Sequence, residues 1–134
     1  MANALYPKWK EQLLQFTANN NLSAGTVKVA LIDTGTYTYS TTHQYWSSAS
    51  AASVNTPQTI GSKAFTNGVF SGSNVTFSAV TGNSVEALII YIDTGSAATS
   101  PLVAYIDTNV TGLPVTPNGG NIAITWNASG IFAL

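Results

Sequence analysis

Three of the chain's five acidic residues share one local setting. Leu31-Ile-Asp-Thr-Gly, Tyr91-Ile-Asp-Thr-Gly and Tyr105-Ile-Asp-Thr each place Asp-Thr at the exit of an apolar run. Two chemistries suit the pattern. Asp and Thr side chains bond nearby backbone N–H groups and fix turns. Alternatively, Asp33, Asp93 and Asp107 converge on a hard cation such as Ca²⁺, which takes oxygen ligands. The spacing of an EF-hand loop is absent, and turn-fixing is the favoured reading. The single histidine, His43, has Asp33 as its nearest acid in sequence. A histidine base needs a carboxylate to orient it and a nucleophile within reach, and no Gly-x-Ser-x-Gly elbow occurs. Glu86 with Asp93 or Asp107 would be the carboxylate pair of a glycosidase, but Glu86 opens a strand and the two Asp close theirs, with Glu86 and Asp93 about 23 Å apart along one strand, too far for that chemistry. The glycine patterns of phosphate-binding loops are missing. The expectation is a protein that is not an enzyme, with no catalytic residue, no cofactor and no metal.

Composition points the same way. Only 7% of the residues are charged, against about a quarter in ordinary domains, and the net charge is -1. Ser, Thr and Asn take the place of charge. Such a surface hydrogen-bonds to water but repels a neighbour weakly, which suits a molecule packed against other subunits. The lysines, Lys8, Lys10, Lys28 and Lys63, form no basic run, so neither nucleic acid nor an anionic membrane surface is an expected partner. There is no cysteine, hence no disulfide framework. No apolar run approaches the roughly 20 residues of a membrane span, and residues 1–10 lack the order of a signal peptide.

These residues need elements to position them, and the patterning predicts an all-β fold with one helix. The helix is expected over 5–19. Pro7 suits its first turn, and Leu5, Trp9, Leu13 and Phe16 form an apolar stripe with Leu14 alongside. Asn19-Asn20-Asn21 supplies its end. From Gly25 the period falls to two. Strands are expected at Thr26–Ile32, Lys63–Phe70, Asn74–Val80, Glu86–Asp93, Leu102–Asp107 and Asn121–Trp126, with others starting at Tyr37–Tyr39 and ending the chain at Ile131–Leu134. Residues 40–58 read as a long surface loop with a short helical turn around Tyr45–Ser48, mobile in isolation. The whole, residues 1–134, is read as a single jelly-roll-like antiparallel β-sandwich domain.

Several stretches carry a family likeness: Ala4-Leu-Tyr-Pro-Lys-Trp-Lys, Gly25-Thr-Val-Lys-Val-Ala-Leu-Ile-Asp-Thr, Asn74-Val-Thr-Phe-Ser-Ala-Val, Glu86-Ala-Leu-Ile-Ile-Tyr-Ile-Asp-Thr-Gly, Gly112-Leu-Pro-Val-Thr-Pro-Asn-Gly-Gly and Ile131-Phe-Ala-Leu. Together they resemble a family of small tailed-bacteriophage virion structural proteins over nearly the whole chain outside 40–58. The family's Trp-Asp-Asn-Gly run stands here as Trp126-Asn127-Ala128-Ser129-Gly130. The resemblance implies a particle component made in the host cytoplasm and residing on the virion. Proteins of this size and class serve as capsid cement, or decoration, proteins on the phage head surface. The implied partners are the major capsid protein and further copies of the chain, as a dimer or trimer. A tail or fibre component is the alternative within the particle. A carbohydrate-binding module, stacking sugars on Tyr37, Tyr39, Tyr45 and Trp46, is the alternative outside it. The expected contact residues are His43, Tyr45 and Trp46 in the long loop, Leu5 and Trp9 on the helix, and Pro114 and Pro117 in the Gly112–Gly120 loop.

Overall fold

The computed structural model describes residues 3–134. It is mainly β, built from antiparallel sheets with one α-helix, as the periodicity predicts. The largest sheet has the order β1-β8-β7-β2-β3, with β1 at Ala4–Leu5, β2 at Thr26–Ile32, β3 at Ser53–Thr59, β7 at Ala87–Asp93 and β8 at Leu102–Ile106. Hairpin β4 (Ala64–Thr66) and β5 (Val69–Ser71) joins β10 (Phe132–Ala133) in a second sheet. The third sheet pairs β6 (Val75–Phe77) with β9 (Ile122–Ile124).

Strands β7 and β8 form the centre because they are apolar at successive positions. Ala87 to Ile92 and Leu102 to Ile106 are all buried, so both faces of these strands are covered. Each fully buried aliphatic side chain stabilises the fold by about 1.5–3 kcal/mol. The register runs Leu88 to Ile106 and Ile89 to Tyr105, then slips after Ile90, so that Tyr91 faces Leu102. Tyr91 and Tyr105 therefore share a face of the sheet, and the segment between β2 and β3 packs its aromatic rings there. Trp46 stacks on Tyr91 at 4.4 Å, and Tyr39 lies 5.5 Å from Tyr105.

Helix α1 spans Pro7–Gln15, shorter than 5–19 at both ends. Leu5 is not helical: it pairs with Ala104 as part of edge strand β1, and Asn3 Oδ1 accepts from the N–H groups of Asp107 and Thr108. Pro7 occupies the first turn as expected. At the other end Phe16 caps the helix in the left-handed conformation, with φ 57°, so the chain leaves three residues before the Asn run. Trp9 is buried at 2% exposure, as the stripe predicts, and meets Phe132 edge-on at 5.9 Å. Phe16 is the correction: it is 95% exposed.

Three further expectations change. Lys63–Phe70 is not one strand but the β4–β5 hairpin, turned at Asn67-Gly68 with both residues at positive φ, as an Asn-Gly type I′ turn requires. Tyr37–Tyr39 forms no strand. The stretch 40–58 is not an open loop. It holds one turn of 3-10 helix at Trp46–Ser48, another at Ser50–Ala52, and most of β3. Strand β3 lies on the sheet edge, where Pro57 is tolerated because no further strand needs its N–H.

Candidate functional site

The ordered segment 37–52 accounts for the first group of expected contact residues. Backbone bonds Trp46 N–H to Ser100 O (2.8 Å), Ser47 N–H to Ala97 O (2.9 Å) and Leu102 N–H to Gln44 O (2.9 Å) tie it to the β7–β8 connection and the start of β8. Trp46 is buried against Tyr91, a core residue rather than an anchor for a partner. Tyr45 is half-buried, its hydroxyl accepting from Gln44 Nε2 at 3.0 Å. His43 Nδ1 lies 2.9 Å from the Tyr37 hydroxyl, which lies 2.8 Å from the Tyr6 hydroxyl. This relay is structural. Burial, together with the neighbouring Tyr37 hydroxyl, holds the Tyr6 phenol far above its ordinary range, and burial raises Tyr37 as well. The sugar platform is not assembled. Tyr37 and Trp46 are buried, and Tyr39 is wedged between Tyr6 and Tyr105.

The acidic residues fix turns. Asp33 accepts from the Gly35 N–H (2.9 Å), the Thr36 hydroxyl (2.8 Å) and the Asn83 amide (2.8 Å). The Thr36 hydroxyl first, then Gly35 and Asn83, hold its carboxyl below the ordinary value. Asp93 accepts from the Gly95 N–H at 2.9 Å and pairs with Lys28 at 2.8 Å, and these contacts likewise lower it. The antiparallel register places Asp93 beside Thr26, at the end of the sheet away from Asp33 and Asp107. The three carboxylates therefore do not converge. Glu86 begins just before β7, at the opposite end of that strand from Asp93, with the Ser84 hydroxyl 2.9 Å away.

A different place gathers unspent chemistry. The second half of α1, the chain from Thr17 to Ser23, Phe65 of β4 and Leu134 enclose an open groove of about 920 Å³. Phe16, Phe65 and Leu134 at this groove, with Leu14 on the same helix, are large apolar side chains exposed to solvent. Beneath them lie three buried polar atoms with no hydrogen-bond partner within the protein: Trp9 Nε1, Gln12 Oε1 and Asn20 Oδ1. The Asn20 orientation is set by its own amide, which donates to Thr17 O at 3.0 Å and Ala18 O at 2.9 Å. An unpaired buried polar group costs about 1–3 kcal/mol, and Trp9, Gln12 and Asn20, which each carry one, are among the residues lining the groove.

Of the expected contact residues, only Trp9 lines this groove. Leu5 is half-buried in β1, Pro114 is exposed after a cis peptide bond, and Pro117 is half-buried. Phe65, Asn20 and Leu134 were not foreseen. The usable signal was the apolar stripe continuing to Phe16 past the point where a helix cap closes. A scan against models of protein families finds no match, and a search of curated proteins finds no relative. The phage resemblance rests on the residues quoted above.

Proposed function

We propose that the chain is a capsid cement protein of a tailed bacteriophage. It binds the outside of the head as a small homo-oligomer and adds contacts between major capsid proteins. The observation that carries the reading is the apolar rim of Phe16, Phe65 and Leu134 at the groove, with Leu14 exposed on the adjoining helix, on a molecule nearly devoid of charge. Large exposed apolar side chains gathered in one region mark a surface that another protein covers. Weak self-repulsion lets many copies crowd on one shell, and several modest contacts sum to avidity when copies are linked. The sequence resemblance supplies the particle.

The test is sedimentation of purified protein with undecorated heads and, separately, with isolated tails of the parent phage. Saturable recovery with heads is the expected result. Recovery with tails alone would move the protein to the tail or fibre, and recovery with neither would reject the reading.

A further inference from the structure

The chain contains two Asn-Gly pairs, Asn67-Gly68 and Asn118-Gly119, and the fold holds them differently. We propose that Asn67 is a site of spontaneous covalent modification. It converts to aspartate and isoaspartate, which puts a charge beside the apolar rim and opens the β4–β5 turn. The inference does not depend on the capsid reading.

The reaction needs only the chain and water. The backbone nitrogen of the following residue attacks the asparagine Cγ. A C–N bond forms, the Cγ–Nδ2 bond breaks, and ammonia leaves with the proton of the attacking N–H. The product is a five-membered succinimide, which water opens at either carbonyl. Cleavage at Cγ gives aspartate. Cleavage at the backbone carbonyl gives isoaspartate, whose main chain runs through Cβ and Cγ. Nothing is oxidised or reduced. Glycine favours the attack because it has no Cβ to crowd the nitrogen and has the widest choice of backbone angles.

Exposure does not separate the two pairs, since Asn67 and Asn118 are both exposed. Hydrogen bonding does. Asn118 Oδ1 accepts from the Gly120 N–H at 2.9 Å, and the attacking nitrogen, the Gly119 N–H, donates to Val80 O at 2.8 Å. Both reacting groups are tied to other partners, and ring closure means breaking those bonds first. At the other pair, neither the Asn67 side chain nor the Gly68 N–H has a hydrogen-bond partner among the described residues. The pair is the tip of a hairpin only three residue pairs long. Positive φ at both residues, 52° and 77°, keeps them in the turn, so ring closure waits on opening of the tip. Local opening costs least at exposed tips with few bonds.

The products change two things. Each event adds a negative charge to a chain whose net charge is -1. The new carboxylate follows Phe65 by two residues and precedes Gly68, whose carbonyl accepts from the Leu134 N–H at 2.8 Å. A partner covering Phe65 and Leu134 must then strip water from an anion. Isoaspartate also adds a main-chain carbon to a two-residue turn whose geometry sets the strand register. The β4–β5 pairing and the Leu134 bond to Gly68 both depend on that turn.

The test is incubation of full-length protein in mildly alkaline buffer, folded and in concentrated urea, followed by chymotryptic digestion and mass spectrometry. Cuts after Phe65, Phe70, Tyr105 and Trp126 place Asn67 in residues 66–70 and Asn118 in residues 106–126. In the folded protein Asn67 should convert at least about tenfold faster than Asn118, giving two products of equal mass that separate on chromatography. In urea the two rates should come together, because the hydrogen bonds that protect Asn118 are gone. Equal rates in the folded protein would overturn the proposal. So would an Asn67 that stays intact while the urea sample converts, or a rate difference that persists in urea, which would assign the choice to neighbouring sequence. Asn67→Asp carries the charge without the extra carbon, and Asp-Gly suits the same turn. It should melt close to the parent, and isoaspartyl protein separated by ion exchange should melt lower. Equal midpoints for the two would overturn the opening of the turn.

Discussion

Tyr37 shows how much rests on one hydroxyl. It is hydrogen-bonded on one side to Tyr6 and on the other to His43, under rings that pack on Tyr105. Replacing Tyr37 by Phe keeps the ring and strands two partners. The expected loss is about 1–3 kcal/mol of unfolding free energy, measured by urea denaturation; a change near zero would mean that the relay contributes nothing. The acidic residues set the low-pH limit. Asp33 and Asp93 titrate below their ordinary value of 3.8 when folded. Their contribution is therefore present above that value and lost as pH falls through the lower folded values. Asp33→Asn should flatten the acid side of a stability–pH curve below about pH 4, and an unchanged acid limb would contradict the assignment. The turn-fixing role of these Asp residues was legible in the sequence because it is local: donor and acceptor sit within three residues. The burial of Trp46 was not legible, because its partner Tyr91 is 45 positions away on another strand.

At the scale of elements, β2, β7 and β8 were readable because continuous apolar runs leave few alternatives. Strand β3 was not. Ser-Val-Asn-Thr-Pro-Gln-Thr has a single aliphatic side chain other than Pro57, Val54, and no apolar alternation, and its place in the sheet comes from pairing with Lys28 and Val29, then Leu31 and Ile32. Helix α1 ended early because Phe16 takes a left-handed cap that sequence rules reserve for Gly or Asn. A bulky residue there is strained by about 1–2 kcal/mol. Since Phe16 is almost fully exposed, Phe16→Gly removes strain without removing core. The expected outcome is a gain of about 0.5–1 kcal/mol in thermal or chemical unfolding, together with weaker binding of whatever covers the groove. A loss of stability would contradict this account of the cap. Gly130 is the opposite case. It sits at φ +116°, and a Cβ there would lie 2.3 Å from Val69 Cγ1 and 3.1 Å from Phe70 O. Gly130→Ala should push β10 off β5 and cost on the order of 1–3 kcal/mol; tolerance would show that this end of the sheet is loose.

For the molecule as a whole, the low charge was plain in the sequence and the groove was not. The groove draws its walls from α1, the chain after it, a hairpin and the C-terminal residues. No local pattern reports such a meeting of distant segments. The tyrosines packed on the main sheet make the fold sensitive to alkali. Burial raises Tyr6, Tyr37 and Tyr39, and pushes Tyr91 and Tyr105 up to about 12, with Asp93 and Asp107 adding to the last two. Folded values above the unfolded 10.0 mean that this stabilisation is complete below pH 10 and is lost as pH rises toward 12. Stability should therefore drop steeply across that window, with phenolate absorbance appearing alongside unfolding rather than before it. The central claim is that the apolar rim of the groove binds the phage head. Its most direct test is a saturation isotherm of the parent protein and of a Phe16→Ser/Phe65→Ser variant on undecorated heads, at matched thermal stability. The account predicts saturable binding by the parent and at least about a tenfold loss of affinity in the variant. Equal occupancy by a stably folded variant would contradict it.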